Sequence, residues 1–211
     1  MAVLLFDLDG TLIDSSAGIT RCAMHAFERL GEPVPDRATL LGWIGPPLRT
    51  SFATRLDDAA RVEDALLHYR ERYGAQGWAE YEVYPGMPEA IATLQAAGHR
   101  LAVVTAKVES YARRIVDSLP FGAAFDDVVG ATEDGRLSHK PELIADALVR
   151  LGVDAGHCRM IGDRRMDMEG ALHHGMPGIG VLWGFGPADE LRAAGATRLV
   201  DTPAALPAAL A

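Results

Sequence analysis

Asp7, Asp9 and Asp14 all fall within FDLDGTLID, residues 6–14, directly after a short apolar run. Carboxylates clustered at the end of a buried strand repel one another unless a cation offsets them, so the spacing calls for a metal ion with oxygen ligands. Further reactive groups follow: Thr105 and Lys107 in AVVTAK, Lys140 in SHKPE, and Asp163 and Asp167 in GDRRMD. A carboxylate can serve as nucleophile or proton donor, a lysine can neutralise an anion, and a threonine hydroxyl can donate to one. Singly, each has a plain explanation. A lone DxD is usually a solvated turn, Thr after Val-Val is strand composition, and Lys before Pro-Glu is a surface helix start. Their joint order along the chain is the signal.

The elements that must position these groups can be read from periodicity. Residues 3–8, VLLFDL, form a buried strand, and from about Ser16 the pattern turns helical. In AGITRCAMHAFERLG, Ile19, Ala23, Ala26, Phe27 and Leu30 share a face that stops at Gly31. Helical patterns continue to about residue 80 with no strand signal before Tyr81. After YPG (84–86) short β-branched runs alternate with helices: RLAVVT, FDDVVG, CRMIGD and GIGVLW read as strands, TRLV as a possible edge strand, and PAALPAAL as a weak helix. That alternation predicts an α/β fold, a doubly wound parallel sheet core with an inserted helical cap domain. The expected core is 1–14 and 82–211, and the expected cap 15–81. In an open parallel sheet ligands bind at the carboxyl ends of strands, where this reading places the reactive groups.

With DLDGT, Thr105, Lys140 and GDRRMD in this order, the sequence resembles the haloacid-dehalogenase-like hydrolase superfamily over essentially its whole length, in the phosphatase branch with a helical cap. GWIGPPLRTSF (42–52), YPGMPEAIATL (84–94) and WGFG (183–186) look like the phosphoglycolate phosphatase and bacterial 5'-nucleotidase-like group. Where that group often has Thr-Asn-Lys, this chain has Ala106, so only the backbone N–H is available to phosphate there. The resemblance and the chemistry imply one scheme. Asp7 is the nucleophile that forms an aspartyl-phosphate, and Asp9 protonates the leaving alkoxide. A dehalogenase lacks that second acid because halide leaves without a proton. Mg²⁺ is the implied cofactor, held by Asp7, the Asp9 carbonyl and Asp163, with Asp167 acting from behind. Thr105 and Ala106 bind phosphate, and Lys140 neutralises both phosphate and Asp7. Gly10 lets the chain leave the strand, and Thr11 is expected to hydrogen-bond locally.

Other residues have blander readings. Asp14 is expected to cap the first helix. His139, His173 and His174 read as surface residues, since Mg²⁺ prefers oxygen. Trp43 and Trp183 read as packing residues rather than substrate platforms, with a nucleobase stacking on Trp43 if it faces the site. Arg49 is either a solvated charge or an anion reader. The expected substrate is a small phosphorylated metabolite. The resemblance carried by DLDGTLID and Thr-x-Lys leans to phosphoglycolate, which Arg49 would suit if it faced the site, with a 5'-nucleotide as alternative and a phosphosugar mutase behind it.

Composition narrows the field. At 211 residues, 49% hydrophobic, the chain can bury one sizeable core. A net charge of −9 argues against a nucleic-acid surface. No apolar run is long enough for a membrane span, and Asp7 and Asp9 interrupt the first apolar stretch before a signal-peptide core could form. The expectation is a cytoplasmic monomer or homodimer. Cys22 and Cys158 lie far apart without metal-binding spacing, which predicts two buried reduced thiols. A signalling receiver domain also gathers acids, Thr and Lys on a doubly wound sheet. Its accepting Asp lies on a middle strand, however, and it has no long helical insertion. A catalytically dead interaction protein would be expected to have lost one of the four groups.

Overall fold

The computed structural model describes residues 1–210. Six parallel strands form one sheet: β1 (Val3–Phe6), β4 (Arg100–Val108), β5 (Phe125–Ala131), β6 (Cys158–Gly162), β7 (Gly178–Val181) and β8 (Arg198–Val200). Their order is β5-β4-β1-β6-β7-β8. The chain builds outward from β1 to one side and then returns to build to the other. The strand order therefore reverses beside β1, the position where such sheets hold ligands. β2 (Ile13–Asp14) and β3 (Glu82–Val83), absent from the periodicity reading, pair as a separate two-stranded sheet. Two residues each are too few to show an alternation.

The strands are apolar on both faces, as parallel strands covered by helices must be. Val3, Leu5, Ala102, Val104, Cys158 and Met160 face one side, where they pack with Leu143, Ile144, Ala147 and Ala171. Leu4 and Phe6 alternate to the other side and are also fully buried. The covering helices of this unit are α5 (Met87–Ala96), α6 (Glu109–Ser118), α7 (Lys140–Leu151), α8 (Arg165–His173), α9 (Ala188–Ala193) and α10 (Leu206–Leu210). Pro141 occupies the first turn of α7, where its missing N–H costs nothing, and Gly152 (φ 65°) ends it in the left-handed region.

The chain divides into two compact units, Met1–Ile13 with Val83–Ala211, and Asp14–Glu82. Asp14 and Glu82 thus fall with the helical unit rather than with the sheet, against the expected 1–14 and 82–211. The helical unit contains α1 (Ser16–Leu30), α2 (Arg37–Leu41), α3 (Leu48–Ala53) and α4 (Ala59–Ala75). Its interior is aromatic: Phe27, Trp43, Phe52 and Tyr69 form a chain of ring contacts 5.2–6.3 Å apart, and Tyr73 stacks on Tyr69. Arg72 clamps Glu80 through two hydrogen bonds of 3.0 Å. Asp14 accepts from the Ser16 N–H at 2.9 Å, satisfying one of the donors left open at the start of α1. Cys22 and Cys158 are both buried and neither is in a disulfide. Among the described residues no helix is long and apolar enough to cross a membrane.

Candidate active site

Register alone brings the first three groups together. Phe6 pairs with Val103 on one side and Ile161 on the other. One or two residues further along the three central strands come Asp7, Thr105 and Asp163. The Asp7 N–H bonds to the Ile161 carbonyl at 2.9 Å, which fixes the nucleophile candidate against the next strand. Side chains alternate along a strand, so Asp7 points to the same face as Val3 and Leu5, the face that α7 covers. On α7 the positions Lys140, Ile144 and Ala147 are spaced i, i+4, i+7. The stripe that buries Ile144 and Ala147 therefore also turns Lys140 inward, beside Asp7.

Lys140 is buried with Nζ 3.0 Å from Asp7 Oδ1, 2.7 Å from Asp167 Oδ1 and 2.9 Å from the Val104 carbonyl. Burial would lower its pKa, but Asp167 and Asp7 override this and raise it, so it is ammonium at any working pH. Asp7, Asp163 and Asp167 are buried together, each offering a carboxylate oxygen within 4.8 Å of the others'. Burial pushes the Asp7 carboxyl up to about 6; Lys140 opposes the rise, while Asp167 and Asp9 reinforce it. Asp163 is raised well above the ordinary carboxylate range by burial and by Asp167 and Asp7. With all three ionised, as metal ligands must be, one ammonium leaves two negative charges uncompensated in a buried site. The oxygen-only donor set fits a hard divalent cation such as Mg²⁺.

Asp9 pairs with Lys107, Nζ to Oδ2 2.8 Å, both side chains nearly buried. Its Oδ1 is buried and has no hydrogen-bond partner among the described residues. Such a group is costly unless a ligand completes it. Gly10 (φ 86°) turns the chain between Asp9 and Thr11. A Cβ there would lie 2.2 Å from Asp163 Oδ2, so only glycine permits both the turn and the approach.

Residues 4–181 match the family described as haloacid dehalogenase-like hydrolase. The chain belongs to that family. A 5'-nucleotidase of Pseudomonas aeruginosa is 46% identical over 191 residues, 90% of this chain and 86% of that protein. The tyrosine-protein kinase PtkA of Mycobacterium tuberculosis is 39% identical over 188 residues, 89% of this chain, which spans 64% of that protein's length. The crystal structure of a predicted phosphatase from Clostridium acetobutylicum superposes with TM-score 0.94 at 36% identity, covering 99% of this chain and 97% of that one.

Within this haloacid dehalogenase-like hydrolase some residues lie elsewhere than expected. Thr105 and Lys107 do not end β4, which runs on to Val108. Pairing with β5 shifts register between Val104 and Val108, and that irregularity frees residues 105–107 from the ladder. The Thr105 hydroxyl accepts from the Lys107 N–H at 3.2 Å, leaving its own proton to donate, and Ala106 is half-buried beside it. Thr11 bonds locally through its N–H, to the Leu8 carbonyl at 3.3 Å, but its hydroxyl reaches Asp163 Oδ1 at 3.2 Å. Trp183 is half-buried, and its indole N–H donates to the Thr11 carbonyl at 2.9 Å, a role the packing reading missed. Trp43, 7% exposed, lies inside the aromatic interior of the helical unit rather than presenting a stacking face. Arg49 is an exposed charge ion-paired to Glu63. Lys107 carried no assigned role in the sequence reading; its Thr-x-Lys spacing was the available hint of the pair with Asp9.

Proposed function

We propose that this phosphatase of the haloacid dehalogenase-like family hydrolyses small phosphomonoesters in two steps through an aspartyl-phosphate on Asp7. The observation that carries the reading is the buried grouping of Asp7, Asp163 and Asp167 around Lys140. In the first step an Asp7 carboxylate oxygen attacks phosphorus, the bond to the leaving oxygen breaks, and Asp9 gives that oxygen a proton. In the second, Asp9 takes a proton from water as the water attacks phosphorus, and the bond to Asp7 breaks to release phosphate. Lys140 stays paired to Asp7 while negative charge builds on the phosphoryl oxygens. Thr105 Oγ1 and the Ala106 N–H donate to those oxygens. Asp7, the Asp9 carbonyl and Asp163 would hold Mg²⁺, and Asp167 would orient Lys140. The ion, when bound, offsets the charge of Asp7 and of the incoming phosphate, which otherwise repel.

For the substrate we propose a 5'-nucleoside monophosphate ahead of phosphoglycolate. The likeness to a 5'-nucleotidase supports it. Arg49, the residue that would read a carboxylated leaving group, is engaged by Glu63 at an exposed position. The base would be held by residues other than Trp43. Phosphate release from a panel of nucleoside monophosphates, phosphoglycolate and phosphosugars, with Mg²⁺ and no acceptor but water, tests both levels. Nucleotide turnover exceeding phosphoglycolate supports the order, and the reverse overturns it. Isomerisation of a phosphosugar without free phosphate would instead signal a mutase.

A further inference from the structure

We propose that Trp183 is a positioning residue for the metal: through Thr11 it sets the orientation of Asp163. The inference rests on the reading that Asp163 is a ligand of the divalent cation. Both Asp163 oxygens are held by hydrogen bonds from distant parts of the chain. Oδ1 accepts from Thr11 Oγ1 at 3.2 Å and Oδ2 from the Phe185 N–H at 2.8 Å. Each oxygen keeps a further lone pair for a ligand. The loop 182–186 that supplies Phe185 lies hard against the site, since a Cβ on Gly184 would be 2.3 Å from Asp163 Cβ and 2.4 Å from the Gly10 carbonyl. Bulk at 184 would therefore push the loop off the carboxylate.

Trp183 closes the circuit. Its indole N–H donates to the backbone carbonyl of Thr11 at 2.9 Å, across 172 positions of sequence. A half-buried indole N–H needs an acceptor, and here it takes the carbonyl of the residue whose hydroxyl holds Asp163. The weak link in the chain is the Thr11–Asp163 bond, at 3.2 Å beyond the usual hydroxyl–carboxylate range. A displacement of a few tenths of an ångström loses it, and the indole at 2.9 Å is a shorter restraint on Thr11 than its own N–H bond to the Leu8 carbonyl at 3.3 Å. A ligand carboxylate freed from such a partner rotates away from the geometry the cation needs. Changes of this kind in other metal sites weaken binding about 10–100-fold.

The test is Mn²⁺ binding, followed by electron paramagnetic resonance of the free ion, to wild type, Trp183→Phe, Thr11→Val and Thr11→Ser. Circular dichroism confirms that each is folded. Phe keeps the ring and removes the N–H; Ser keeps the hydroxyl that Val removes. The expected result is about tenfold weaker binding for Trp183→Phe and Thr11→Val, with Thr11→Ser near wild type. If wild type binds Mn²⁺ and Trp183→Phe and Thr11→Val bind within twofold of it, the positioning role is overturned and the metal reading stands. A lower melting temperature for Trp183→Phe with unchanged Mn²⁺ affinity overturns it equally. If wild type takes up no Mn²⁺, the metal reading itself falls, and this inference with it.

Discussion

Replacing Asp7 by Asn should abolish turnover and, in EDTA, make the protein more stable than wild type. The second effect follows from the charge excess in the site. Carrying a carboxyl from its ordinary 3.8 to about 6 means that, at pH 8, ionised Asp7 costs the folded metal-free core about 3 kcal/mol. Asn is nearly the same shape, carries no charge to bury, and leaves Lys140 its partner Asp167. For a chain of this size about 1 kcal/mol corresponds to roughly 2–4 °C, so the melting temperature should rise by up to about 6–12 °C. The pH dependence has a definite sign. A raised carboxyl pKa penalises the folded state fully above about 6, and the penalty vanishes as pH falls to 3.8. The gap between variant and wild type should therefore be widest at pH 8 and close between pH 6 and 4. Saturating Mg²⁺ should reverse the order, because only wild type keeps every carboxylate that faces the ion. Calorimetry of both proteins at pH 8 and pH 4.5, with EDTA or Mg²⁺, measures all of this. An Asp7→Asn variant that melts below wild type in EDTA at pH 8 would refute the reasoning.

Asp9→Asn should lose most with poor leaving groups, so its deficit on an alkyl phosphate should exceed that on p-nitrophenyl phosphate; equal losses would count against Asp9 as the acid. Asp163→Asn should raise the Mg²⁺ concentration needed for half-maximal activity more than Asp167→Asn does, since a ligand is lost in one case and the support of Lys140 in the other. Glu80→Gln should destabilise the helical unit by about 1–3 kcal/mol in urea melts at pH 7, because it breaks the paired bonds to Arg72. Glu80 is lowered chiefly by its hydrogen bond to Arg72, so its contribution is present above its ordinary 4.5 and is lost as pH falls through its folded value. The two proteins should converge in acid.

The sequence made some of this legible and hid the rest for identifiable reasons. VLLF ending in Asp7 and Asp9 marked the central strand, because an apolar run and an acid pair are both local patterns. Lys140 was recoverable because Pro141 marks a helix start and Ile144 and Ala147 show which face turns inward. The extent of β4 past Thr105 was not, since the register shift beside β5 depends on the partner strand. Strands β2 and β3 are too short for periodicity to register. Trp183 was read as packing because an indole's hydrogen bond leaves no trace in spacing when its acceptor lies 172 residues away. The reach of the Thr11 hydroxyl to Asp163 has the same origin: Gly10 folds the chain back, and only the assembled sheet sets what lies opposite.

The central claim is that phosphoryl transfer passes through the protein, and the stereochemical course at phosphorus tests it most directly. A phosphorothioate ester chiral through ¹⁸O, hydrolysed by the Mg²⁺-loaded protein in H₂¹⁷O, gives inorganic thiophosphate whose configuration can be read. Two in-line displacements, first by Asp7 and then by water, predict overall retention. Inversion would mean that water attacks the substrate directly, and would contradict the account.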